Sequence, residues 1–164
     1  TVPSLLPLIL PVGAITGFLM YNLGVLGNQR TVFLGDNGSN ALGFMCAWIL
    51  VYFSSVEDSN FAPVTALWFV AIPFFDAVGV MASRAIKGIM PLRPGRDHLH
   101  HRLLDMGLSS NTIYFVLIFI SALFAATGYI FNYSLSESQY ISFYAFMVFW
   151  LCYYFLTRYI SKNV

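Results

Sequence analysis

Three short stretches of this chain carry residues able to do chemistry. The first, Gly35-Asp36-Asn37-Gly38-Ser39, sets a carboxylate among small residues. Backbone N–H groups at a helix N-terminus suit phosphate, and Gly38 and Ser39 would let a phosphate come close. Asp36 repels phosphate directly, so it would act through Mg2+, a hard cation that favours carboxylates together with substrate phosphates. The plainer reading is that Asp36 is an N-cap beside a tight turn. The second stretch is centred on Asp76, which lies in an apolar run, where a carboxylate needs a partner or a wet cavity. Asp76 would coordinate metal, hold a metal site or an arginine in place, or simply bond to a neighbouring helix.

The third stretch, Arg84 to Ser110, holds all three histidines and five of the eight basic residues. At its centre is Asp97-His98-Leu99-His100-His101. Three readings stay open. A transition-metal site is disfavoured, because the i, i+2, i+3 spacing does not put the three histidines on one helical face and no cysteine lies nearby. If the segment is helical, Asp97 and His101 (i, i+4) and His98 and His101 (i, i+3) converge. Imidazoles together with Arg93, Arg96 and Arg102 would then grip a diphosphate, with histidine as donor or proton carrier. In the third reading the loop is solvated and only fixes topology.

The elements that must position these residues are membrane helices. Apolar residues make up 59% of the chain and charged residues 9%, against about 25% charged in a soluble domain; mean hydropathy is +0.74. An all-α, polytopic integral membrane protein is expected, a single domain with five spans near residues 3–25, 36–55, 61–81, 112–131 and 140–157 and a loop at 84–110. Pro3, Pro7 and Pro11 crowd the start of the first span, and Gly24, Gly27 and Asn28 mark its end. Pro73 should kink the third span, with Asp76 one turn beyond it and roughly 12 Å from the level of Arg84 at about 1.5 Å rise per residue. Ser109, Ser110 or Asn111 caps the fourth span, and Ser136-Glu137-Ser138-Gln139 fits a capping box for the fifth. Pro91-Leu92-Arg93-Pro94-Gly95-Arg96 is not a helix, while Ile86–Met90 could lie along the interface as an amphipathic turn. Tyr21, Trp68, Tyr140 and Tyr159 fit interfacial belts, and Cys46 and Cys152 read as small buried side chains.

With five spans, Arg30, the central loop and the tail with Arg158 and Lys162 fall on one side, which then holds all eight Lys and Arg. The opposite links carry Glu57, Asp58 and Glu137 and no base. By the positive-inside rule the basic side is cytoplasmic. Asp36, Asp76 and the histidine loop then share that face, so the expected partner is anionic and membrane-associated rather than a nucleic acid.

These motifs together resemble the polyprenyl-phosphate N-acetylhexosamine-1-phosphate transferases of glycosyltransferase family 4, which include WecA-like and MraY-like branches. Phe33-Leu34-Gly35-Asp36-Asn37-Gly38-Ser39 is similar to the family's F-hydrophobic-G-D-x-G-S motif. Ile72-Pro73-Phe74-Phe75-Asp76 is similar to its I-P-hydrophobic-hydrophobic-D span, and Pro94-Gly95-Arg96-Asp97-His98-Leu99-His100-His101 to its P-x-R-x-H-hydrophobic-H-H loop. The H-L-H-H form resembles the bacterial WecA-like branch. The order and spacing agree over nearly the whole chain.

The resemblance implies transfer of a sugar 1-phosphate, N-acetylglucosamine 1-phosphate or a related N-acetylhexosamine phosphate, from a UDP-sugar to undecaprenyl phosphate. UMP leaves, and the step opens lipid-linked cell-envelope polysaccharide synthesis at the bacterial inner membrane. It implies Mg2+ or Mn2+, with Asp36 as a metal or active-site carboxylate and Asp76 as a second polar residue of the site. Arg96, His98, His100 and His101 would bind the nucleotide-sugar diphosphate. Undecaprenyl phosphate, a UDP-amino sugar and membrane lipid are the implied partners, with a homodimer as one allowed assembly. The family also uses an adjacent pair of aspartates in an earlier cytoplasmic loop, and this chain has none. The chain begins with Thr1 and has about half the family's spans, so it is expected to be the C-terminal part of such an enzyme and inactive when isolated. The alternative, a transporter or flippase subunit for an anionic lipid or metabolite, predicts polar residues at the bilayer midplane on several spans; here those stretches are mostly Phe, Leu, Ile, Val and Ala.

Overall fold

A computed structural model describes residues 6–22, 32–56, 61–93, 95–135 and 138–163. Among these there are seven helices and no strand: α1 (Leu6–Asn22), α2 (Gly35–Ser55), α3 (Pro63–Phe69), α4 (Ala71–Ile86), α5 (Leu99–Asp105), α6 (Ser110–Ser134) and α7 (Gln139–Asn163). The all-α expectation holds. The chain divides into two compact units, Thr1–Pro63 and Val64–Val164.

In the first unit α1 packs on α2. Asn22 closes α1: its Nδ2 donates to Phe18 O at 3.1 Å, and its Oδ1 accepts from Val32 N at 2.8 Å. Gly24, Gly27, Asn28 and Arg30 lie outside the described residues, as do Pro3, Glu57, Asp58, Ser136 and Glu137 and the side chain of Lys162. The charge alternation and the capping box rest partly on these.

In the second unit the expected kink at Pro73 appears as a break at Val70, where α3 and α4 meet at 82°. Proline has no N–H to give the carbonyl four residues back. The chain resolves this by starting a new helix, which puts Pro73 in the first turn of α4, where N–H groups need no intrahelical partner. The Val70 N–H bonds to Leu67 O at 3.2 Å, and the α4 ladder opens with Phe74 N to Val70 O at 3.0 Å.

Trp68, one helical turn into α3, lies fully buried rather than in an interfacial belt. Its ring meets Phe131 and Phe146 edge-on at 5.5 and 5.4 Å, and Phe75 meets Phe146 at 4.8 Å. The indole N–H finds Ser142 Oγ at 3.0 Å, which satisfies its one polar atom. Gly128 of α6 lets the indole in: a Cβ there would stand 2.7 Å from Trp68 Cγ. This aromatic cluster is the core that holds α3, α4, α6 and α7 together.

Among the described residues two helices, α6 and α7, are long and apolar enough to cross a membrane, and the bent pair α3–α4 makes a third if taken as one span. α1, at 17 residues, is shorter, and α2 opens with polar residues. Large apolar side chains such as Phe115, Phe119 and Phe155 stand outward on α6 and α7, as lipid-facing positions do. The chain is a membrane protein. Cys46 and Cys152, expected to be buried, are free and exposed on helices whose outer faces meet no core.

Candidate functional site

α4 continues to Ile86, past the expected end at 81, and carries Asp76 and Arg84 on one continuous rod. Arg84 is the organiser of the loop that follows. Its side chain is only 8% exposed. Nε donates to Asp97 Oδ2 at 2.8 Å, and Nη1 donates to Pro91 O at 3.1 Å and to Arg93 O. Five donors on a planar fork suit such a multiple contact. Gly95 is required beside it, because a Cβ there would lie 2.5 Å from Arg84 Nη2 and 3.0 Å from Asp97 Oδ1. The hydrogen bond from Arg84 holds the Asp97 carboxyl below the usual carboxylate range against the opposing effect of burial, with smaller help from the charges of Arg84, Arg102 and Lys87.

Asp76 is engaged by three donors. His98 Nδ1 lies 2.8 Å from Oδ2, while Leu99 N and Tyr153 Oη donate to Oδ1 at 2.9 and 3.1 Å. Leu99 is the first residue of α5, and His98 at the cap position has no side-chain cap bond of its own. The carboxylate of α4 therefore caps α5 from outside and stands at its positive end. With Nδ1–H donating to Asp76, His98 presents Nε2 outward in a fixed tautomer.

The helical convergence expected of Asp97, His98 and His101 does not occur. α5 begins only at Leu99, and Asp97 is turned away to Arg84. Extended backbone at His98 instead lays its ring parallel to His100, centroids 6.1 Å apart, and His100 meets His101 at 4.2 Å. Desolvation, then the neighbouring His101 and His98, pushes the His100 pKa down, so this imidazole favours its neutral form. His101 Nδ1 is buried and meets no hydrogen-bond partner. A buried polar atom left unpaired costs about 1–3 kcal/mol, a state that Trp150 Nε1 and Tyr154 Oη share.

The arginines divide differently from the expectation. Arg102 is structural: Nε donates to Asp97 O at 2.8 Å and Nη1 to Thr157 O at 2.6 Å, fastening α5 to α7. Arg96 stays open, with a long 3.8 Å approach to Asp105. Arg158 reaches back to Ser83 Oγ at 2.8 Å. Between these lies a crevice lined by Asp76, Ser83, Arg102, Tyr154 and Arg158, of about 10 Å3, the limit for one water.

Asp36 belongs to the first unit and is described by itself. It is not the N-cap: Leu34 takes that position without a side-chain cap bond, Gly35 turns the chain at φ +66°, and Asp36 sits exposed in the first turn of α2. Ser39 Oγ donates to Gly35 O at 3.0 Å. Gly38 lies under Leu34, where a Cβ would be 2.7 Å from Leu34 Cγ, so packing alone already requires glycine there. Among the described residues no three His, Cys, Asp or Glu gather into a metal-holding group. Asp36 alone fits as one hard oxygen ligand, with phosphate oxygens of a substrate left to complete the shell of an Mg2+ ion.

Sequence reasoning missed Arg84 and Tyr153 as parts of the site. Nothing in the chain distinguishes Tyr153 from nine other tyrosines. Arg84 offered one signal, a lone base at the end of an apolar run.

The profile of Glycosyl transferase family 4 matches residues 2–54. The chain is 36% identical over 152 residues to "Undecaprenyl-phosphate alpha-N-acetylglucosaminyl 1-phosphate transferase" of Escherichia coli K12, covering 93% of the chain and 40% of the relative. It is 37% identical over 147 residues to the protein of that name from Haemophilus influenzae (89% and 40%), and 34% over 152 residues to that of Salmonella typhi (93% and 40%). The chain thus spans about 40% of the length of these curated relatives. No solved structure matches it. Nothing in the fold or among the relatives favours a transporter. The chain belongs to glycosyl transferase family 4.

Proposed function

We propose that this chain supplies part of an enzyme that moves an N-acetylhexosamine 1-phosphate, foremost N-acetylglucosamine 1-phosphate, from a UDP-sugar to undecaprenyl phosphate. The observation that carries the reading is the row of three imidazoles at the start of α5, with His98 locked by Asp76 and His101 Nδ1 buried and unpaired. The names of the relatives agree with it. The work falls at the cytoplasmic face of the bacterial inner membrane, the side the positive-inside rule assigns to the basic residues.

A phosphate oxygen of the lipid attacks the sugar-bearing phosphorus, a new P–O bond forms, and the P–O bond to UMP breaks with its electron pair leaving on UMP. Two anions must meet for this. His98, its Nδ1–H held by Asp76, offers Nε2 as a proton acceptor, while His101 donates to the diphosphate oxygens and exposed Arg96 adds positive charge. Neutral His100 binds without repelling its two neighbours. Asp76 orients His98 and holds the start of α5. Asp36 would hold a divalent cation as one oxygen ligand, and such a cation would supply charge neutralisation.

The test is UMP release by the full-length protein from UDP-N-acetylglucosamine, dependent on undecaprenyl phosphate and Mg2+. Asp36→Asn and His101→Ala should each lower it at least about 100-fold, the low end for a positioned catalytic group. No UMP release in the unaltered protein overturns the activity, and unchanged turnover in the variants overturns their roles.

A further inference from the structure

The segment between α4 and α5 presents an apolar surface that the site does not use. Ile86, Ile89, Met90 and Leu92 are 69%, 40%, 70% and 77% exposed, and Lys87 and Arg93 beside them are exposed too. Outward apolar side chains on α6 or α7 belong to spanning helices, but Ile89, Met90 and Leu92 lie beyond Ile86, the last residue of α4, where no helix carries them into hydrocarbon. In water four such side chains within seven residues form an unfavourable patch.

Part of the backbone of the same segment is hydrogen-bonded locally. Lys87 N and Ile89 N donate to Arg84 O at 3.0 and 2.9 Å, Gly88 N to Ala85 O at 3.0 Å, and Arg93 N to Met90 O at 3.1 Å. The carbonyls of Pro91 and Arg93 are taken by Arg84. Peptide groups already bonded within the protein cost less to bring to a bilayer boundary, while the large apolar side chains stay bare.

We propose that residues 86–93 are a membrane-interface anchor, which embeds Ile86, Ile89, Met90 and Leu92 at the headgroup–acyl boundary while Lys87 and Arg93 meet anionic lipid headgroups. The occupant of the patch is the leaflet itself. The segment is tied to α4 at one end and leads to α5 at the other, and apolar residues flanked by cations match an anionic lipid surface. Arg84 joins this anchor to Asp97 and so to the start of α5. The anchor therefore sets the height of the imidazole row above the membrane, at the level where a lipid phosphate lies.

Collision accessibility of nitroxide labels tests this in the full-length protein, in vesicles containing phosphatidylglycerol and in a background with Cys46 and Cys152 replaced. Labels enter at Met90→Cys, Leu92→Cys and Arg96→Cys, all exposed positions whose side chains hold no buried contact. The ratio of oxygen to water-soluble nickel-chelate collisions should be several-fold higher at 90 and 92 than at 96. Adding Lys87→Gln and Arg93→Gln should move the label at 92 outward, and only in vesicles with anionic lipid. Equal ratios at the three positions overturn the anchor. Shielding of 90 and 92 from both reagents overturns it as well, since protein then covers the patch. A label depth indifferent to Lys87 and Arg93 overturns the anionic preference.

Discussion

Asp76 touches His98, a backbone N–H and a tyrosine hydroxyl with its two oxygens. Its role is therefore separable from its fold. Asp76→Asn keeps an acceptor for Leu99 N but sets an NH2 group against His98 Nδ1, which forces the opposite tautomer. Turnover should fall about 100-fold or more while helicity and thermal midpoint stay near those of the parent, and 15N spectra of His98 should report the tautomer change. His100 carries a second prediction. Burial and its two imidazole neighbours lower its pKa from the ordinary 6.5, so the unfolded chain binds a proton before the folded one does. Stability is full above pH 6.5, declines as pH falls through the window between 6.5 and the folded value, and loses nothing further from this group below it. An NMR titration should place the His100 midpoint below the ordinary 6.5.

At the scale of elements, the loop before α5 depends on a single guanidinium. Arg84→Lys replaces a fork that reaches a carboxylate and two carbonyls with a point charge that cannot span them. Hydrogen exchange across residues 91–98 should rise while α4 and α6 remain protected. Gly95→Ala should do the same, because its Cβ meets Arg84 Nη2 at 2.5 Å. The Arg84–Asp97 pair has an acid limit. The Asp97 pKa is depressed, so its contribution is full above the unfolded value and is lost as pH falls through the folded one. Loop exchange should therefore rise only in acid below the usual carboxylate range. In the core, Gly128→Leu drives a branched side chain into Trp68 and should cost about 1–3 kcal/mol, seen as a lower thermal midpoint in detergent.

For the whole molecule, the absence of a three-ligand metal group among the described residues sets an expectation about binding order. Mg2+ alone should leave the thermal midpoint of the full-length protein unchanged, whereas Mg2+ with UDP-N-acetylglucosamine should raise it, because only then are enough oxygen ligands present. Chelation should abolish UMP release and Mg2+ should restore it. A midpoint raised by Mg2+ alone would point to a metal site made by protein groups.

The sequence by itself determined the class and singled out the ionisable residues. A 9% share of charged residues admits only a lipid-facing helical chain, and Asp36, Asp76 and the histidines stand out because ionisable side chains are rare and costly there. Hydropathy and composition are local quantities, so they can be read along a line. Partners cannot. Whether Asp97 meets His101 or Arg84, whether Trp68 lies in a belt or a core, and where Pro73 bends its helix all depend on groups that approach from other helices. Arg84 outcompetes a helical turn for Asp97 because a buried guanidinium must be paired. Tyr153 reaches Asp76 from 77 positions away because α7 packs on α4. Those pairings were settled by packing and by the cost of leaving a polar group unpaired, and tertiary structure is where both are paid.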